Sequence, residues 1–175
     1  MEMTRKIPLM FLMIFLSPES YLTAQEVKCV ELPAFVGDAI SKETKTNRGA
    51  EYCEYREVAI GDLDNDKQQD IAVAYTIEGA CTEADEVELQ PGTCGNKASQ
   101  FLMVFTHENK IPRILGPIII GERGGRAIDS LAIKNSTIEA ETLEWTESDP
   151  MCCPSIKGRT RFTIESGKLK ELIVK

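Results

Sequence analysis

Four aspartates fall close together in Gly61-Asp62-Leu63-Asp64-Asn65-Asp66-Lys67-Gln68-Gln69-Asp70-Ile71. Counted from Asp62 they occupy loop positions 1, 3, 5 and 9, a spacing that turns successive carboxylates toward one point. Calcium, a hard cation, takes about 6–8 oxygen ligands. Asp62, Asp64, Asp66 and Asp70 are therefore candidate side-chain ligands, and the backbone carbonyl of Gln68, at position 7, is a further one. Carboxylates this close repel one another unless a cation or solvent neutralises them. The competing reading is a polar turn that uses aspartates for their turn chemistry. No glutamate follows Asp70 within three residues, which excludes a complete EF-hand.

Other chemistry-bearing residues are sparse. His107 is the only histidine, so a Ser-His or Cys-His nucleophile arrangement would depend wholly on it. Its place beside Glu108-Asn109-Lys110 suggests a surface turn. Gly121-Glu122-Arg123-Gly124-Gly125-Arg126 lacks the following helix that a phosphate loop requires, so it reads as a turn. Trp145 sits among Glu144, Glu147 and Asp149 and suits strand-end packing better than a partner anchor. Asn135-Ser136-Thr137 matches a glycosylation acceptor, relevant only in a host with that machinery.

The six cysteines are Cys29, Cys53, Cys81, Cys94, Cys152 and Cys153. An even count suits structural disulfides in an oxidising compartment, and sequence leaves the pairing open. Cys81 with Cys94 is the first expectation, because both lie in one polar excursion between strand-like runs. The adjacent pair Cys152-Cys153 invites a redox role, since a bond between them would be strained and easily reduced. Separate structural bonds that staple the last hairpin are the stronger reading. A zinc site is disfavoured by the lone histidine and the absence of a CxxC pair.

The elements that must position the aspartate loop are short and β-like. Glu57 to Ile60 leads into it, and Ile71 to Ile77 leaves it, rich in β-branched and aromatic residues. Phe101 to Phe105 is apolar enough for a strand buried on both faces. Ile111 to Ile120 carries Pro112 and Pro117, which points to a sheet edge or a bent strand. Ile128 to Ile133 and Thr137 to Trp145 flank Lys134-Asn135-Ser136. Arg159 to Glu165 and Lys168 to Val174 flank the two-residue hairpin signal Ser166-Gly167. Pro33 to Ile40 has helical spacing, and Ser41 to Ala50 reads as irregular. The expectation is a mostly β domain, α+β at the margin: seven or eight antiparallel strands in a small sheet or sandwich, one short N-terminal helix, and disulfide bonds.

The loop resembles the aspartate loops of FG-GAP and VCBS-type families, D-x-[DN]-x-D-G-x-x-D before a hydrophobic strand. That resemblance implies calcium held by Asp62, Asp64, Asp66 and Asp70, with a departure at Lys67, where those families prefer glycine. A second resemblance spans more of the chain. Asp62 to Val73, Cys94-Gly95, Gly121-Glu122-Arg123 and Asp149-Pro150-Met151-Cys152-Cys153-Pro154 together resemble the LppP/LprE-type family of bacterial exported proteins. It implies a small, exported, cysteine-containing domain and carries no enzymatic chemistry to transfer.

Arg5 and Lys6, the apolar run Ile7 to Leu16 and the small residue Ala24 have the order of a secretory signal. The run is too short to cross a bilayer, which needs roughly 20 apolar residues. Residues 1–24 are thus expected to be a cleaved signal peptide and 25–175 one exported domain, periplasmic or secreted. About 150 residues suit a single core. Cys29 follows Glu26-Val27-Lys28, not a lipobox, so no membrane attachment is expected after cleavage. The charges of the signal cancel, leaving the domain at −8. An acidic surface repels phosphate backbones. Nucleic acid therefore does not match the sign of the charge as a partner, whereas cations or a basic cell-envelope protein fit it. Two functions follow: a non-enzymatic exported domain with a calcium loop, or an acidic inhibitor or partner of a basic envelope protein.

Overall fold

The structure, a computed structural model, describes residues 29–79, 97–108, 111–150 and 153–173, excepting the side chains of Glu108 and Ile173. Its elements run α1 (Ala34–Thr46), β1 (Ala50–Glu51), a 3-10 turn (Cys53–Tyr55), β2 (Glu57–Gly61), β3 (Asp70–Glu78) and β4 (Ala98–Glu108). There follow β5 (Ile111–Glu122), β6 (Arg126–Lys134), β7 (Thr137–Glu144), β8 (Ile156–Glu165) and β9 (Lys168–Ile173). Two antiparallel sheets result. The first has the order β1-β3-β4-β5, with β2 also on β3; the second has the order β6-β7-β8-β9. The mostly β, disulfide-bonded architecture is thus as the sequence indicates.

Strands β3 and β4 show why a continuous apolar run can occur in an antiparallel sheet. Successive side chains point to opposite faces, and here both faces are covered. Ala72, Ala74, Leu102 and Val104 face the second sheet and pack with Ile128, Ile138, Ala140 and Phe162. The intervening Val73, Tyr75, Ile77, Phe101, Met103 and Phe105 face α1, where Val36 and Ile40 are fully buried. The layers are therefore helix, sheet, sheet.

The helix is longer than its apolar spacing suggests and includes Ser41–Thr46, which reads as irregular in the sequence. Local hydrogen bonding carries it on. Thr44 Oγ1 donates to the Ile40 carbonyl at 2.9 Å and Thr46 Oγ1 to the Lys42 carbonyl at 3.0 Å. The Asn47 amide donates to the Glu43 carbonyl and carboxylate and closes the last turn.

Turn chemistry fixes both tight hairpins of the second sheet. Asn135 and Ser136 take φ of 49° and 56°, and Ser166 and Gly167 take 50° and 73°. Positive φ at both central residues suits the right-handed twist of the flanking strands. Strand β5 lies at the edge of its sheet, the place its prolines require. Its register shifts between the Leu102–Ile118 and Val104–Leu115 pairs, around Gly116-Pro117.

Two contacts matter for the aspartate loop. Gly61, the last residue of β2, lies so close to β6 that a Cβ there would sit 2.7 Å from Ile133 Cγ2. The absence of a side chain lets the loop's entry strand touch the second sheet. On the exit side, β3 pairs with β4 through Ile71–Phe105. That register brings Thr106 beside Asp70.

Candidate metal centre

The loop between β2 and β3 is held by two residues in the left-handed region, Asn65 at φ 63° and Lys67 at φ 68°. Asparagine tolerates that conformation; lysine adopts it at a cost of about 1–2 kcal/mol. The departure from glycine at Lys67 therefore does not prevent the turn.

Asp62, Asp64 and Asp70 each bring an oxygen within 4.8 Å of the others, a group that could hold a metal ion. Donors of the protein hold oxygens of all three. The Leu63 N–H donates to Asp70 Oδ2 at 2.7 Å. The Lys67 N–H donates to Asp62 Oδ2 at 3.0 Å, and the Thr106 hydroxyl to Asp64 Oδ2 at 3.1 Å. Among the described residues, Asp62 Oδ1 and Asp70 Oδ1 are buried with no hydrogen-bond partner. Asp70 itself is 0% exposed. Leaving a buried carboxylate oxygen unpaired costs free energy unless something else satisfies it.

Burial is the main reason the Asp70 carboxyl titrates above its ordinary value; the charges of Asp64 and Asp66 add to it, against the Leu63 and Thr106 hydrogen bonds. A cation at the triad would supply the missing positive partner and reverse that shift.

Asp66, the fourth aspartate of the loop, is not part of this cluster. Asp66 turns back on its own loop: its Oδ1 accepts from the Gln68 N–H at 2.7 Å, and its Oδ2 from the Gln68 side-chain amide. The Asp66 N–H in turn donates to Asp64 Oδ1 at 3.1 Å. Asp66 thus supports the loop from its exposed side. Thr106, absent from the sequence-level ligand set, is the added second-strand contact. Nothing local marks it, because it lies 42 residues from Asp64 and arrives only through the β3–β4 register.

His107 lies in β4, paired with Pro112 of β5, rather than in a turn; the strand runs three residues further than the apolar run because β5 continues to pair with it. Gly121 and Glu122 end β5 and Arg126 starts β6, so the glycine-rich segment joins two strands. Trp145 is half-buried, and its Nε1 donates to the Pro150 carbonyl at 3.1 Å. Asn135 is exposed in the β6–β7 turn. Cys29 is bonded to Cys53, with Cα atoms 5.4 Å apart, and Cys153 is also disulfide-bonded. The expected Cys81–Cys94 pair and Cys152 lie outside the described residues. Among the described residues, no helix is long and apolar enough to cross a membrane.

Comparison of the chain with family models, curated proteins and solved structures finds no match.

Proposed function

We propose that this protein is an exported, non-enzymatic domain, in the manner of the LppP/LprE-type proteins it resembles, whose β2–β3 loop binds calcium. The observation that carries the reading is the pair of buried, unpartnered oxygens, Asp62 Oδ1 and Asp70 Oδ1, in a triad completed by Asp64. Three negative charges at this spacing favour a divalent cation, and a purely oxygen donor set favours calcium over thiolate- or imidazole-seeking metals. Bound there, calcium would tie β2 to β3 and, through the Asp64–Thr106 contact, to β4. Its role is then to fix this end of the sandwich, for stability or for contact with another molecule. Calorimetric titration of the oxidised protein tests it. Calcium is expected to bind one site in the range of about 10⁻⁴–10⁻³ M typical of extracellular modules, and an Asp62→Ala/Asp64→Ala variant is expected to show no heat. Equal binding by that variant would refute the assignment.

A further inference from the structure

We propose that a cleft at the opposite end of the sandwich binds an organic cation, an alkylammonium or guanidinium group. The cleft is separate from the calcium loop: Asp70 starts β3 and Glu78 ends it, so the two lie about 25 Å apart at strand rise. Its volume is about 310 Å³, and Tyr52, Tyr55, Trp145, Glu78, Glu122 and Asp129 are among its lining residues. That size is at the lower end for small-ligand sites.

Three aromatic side chains line the cleft, and an aromatic ring attracts a cation to its face. Tyr52 and Tyr55 have ring centroids 5.1 Å apart. They flank Cys53, whose bond to Cys29 anchors the 3-10 turn that carries them. Trp145 is oriented by its hydrogen bond to the Pro150 carbonyl.

The charge balance selects the sign of the ligand. Arg123 and Arg126 also line the cleft, but each is already engaged. Arg123 pairs with Glu78 at 3.3 Å. Arg126 spans both carboxylate oxygens of Glu171, at 2.5 and 3.2 Å, and donates through Nε to the Ile120 carbonyl. Among the described residues, no ion pair engages Glu122 or Asp129. The β3 and β4 ends at the cleft are joined by a Gly79 N–H bond to the Lys97 carbonyl at 2.7 Å, and Lys97 is itself engaged. An aromatic-lined cleft under net negative charge recognises a cation; a phosphate or carboxylate ligand would be repelled.

Trp145 is the only tryptophan, so its emission reports on this cleft directly. The oxidised chain is titrated in chelator, which keeps the result independent of the calcium loop. The probes are butylamine, agmatine, a short Lys/Arg peptide, the neutral N-butylacetamide and a neutral saccharide. A saturable change is expected with the cations, weakened about tenfold by Asp129→Asn and lost in Tyr55→Ala; both positions are exposed, and circular dichroism checks folding. Tighter binding of the peptide than of the free amines would identify a basic protein as the source of the cation, and the reverse a free amine. No saturable response to any cation, or an equal response to the neutral amide or the saccharide, overturns the proposal.

Discussion

Replacing Asp70 by asparagine keeps the side chain's shape and its acceptor for the Leu63 N–H, but removes a buried charge. Three carboxylates separated by at most 4.8 Å make three repulsive pairs; each costs about 0.9 kcal/mol even at the dielectric constant of water. Asp70→Asn removes two of them, a gain of about 2 kcal/mol. Against this, the Leu63 hydrogen bond changes from charge-assisted to neutral, a loss of about 1 kcal/mol. In chelator the variant is therefore expected to be more stable than the parent by about 1 kcal/mol. Calcium reverses the order. At about 10 mM, with a Kd of about 10⁻⁴–10⁻³ M, it stabilises the parent by about 1.4–2.7 kcal/mol, or about 3–10 °C in Tm. The variant should show little of that rise. Urea and thermal unfolding of both proteins, with calcium and with chelator, measure all four quantities. The pH dependence gives a second reading. Because the folded Asp70 carboxyl titrates above its ordinary value of 3.8, its stabilising contribution is full below that value. It is lost as the pH rises through the folded pKa. Asp70→Asn should remove that fall, and calcium should oppose it. A variant that is less stable in chelator yet keeps the full calcium response would refute both the strain and the ligand role.

Three further outcomes follow from the same structure. Lys67→Gly relieves a left-handed lysine at φ 68° and removes a positive charge from the loop; gains of up to about 1 kcal/mol in stability and several-fold in calcium affinity are expected, by unfolding and calorimetry. Cys29→Ser/Cys53→Ser opens a cross-link of sequence separation 24 and should lower stability by about 3–4 kcal/mol in denaturant unfolding, an effect that reduction of the parent should at least match. Gly61→Val puts atoms against Ile133 and should cost about 1–3 kcal/mol, with weaker calcium binding because the loop's entry strand is pushed off β6.

Most of the strands are readable in the sequence because periodicity and turn chemistry are local. Asn135-Ser136 and Ser166-Gly167 announce their hairpins in two residues each, and the prolines of β5 announce an edge. The long run of apolar residues in β4 correctly signals two covered faces. The helix past Ile40 is not legible in the apolar spacing because its continuation rests on polar side chains bonding back to the turn before.

The site divides along the same line. Sequence alone placed four aspartates in one short loop between two strands, which is a property of covalent spacing. Only the tertiary structure decided that Asp62, Asp64 and Asp70 converge while Asp66 pairs with Gln68. That choice depends on where two left-handed residues send the chain, and on Asp70 being buried by the sheet it begins. Thr106 joins through strand register and Cys29 meets Cys53 across α1. The cleft with its tyrosines and tryptophan collects residues from both sheets. Contacts between distant parts of a chain follow from how its layers pack, and no window of the sequence carries that information.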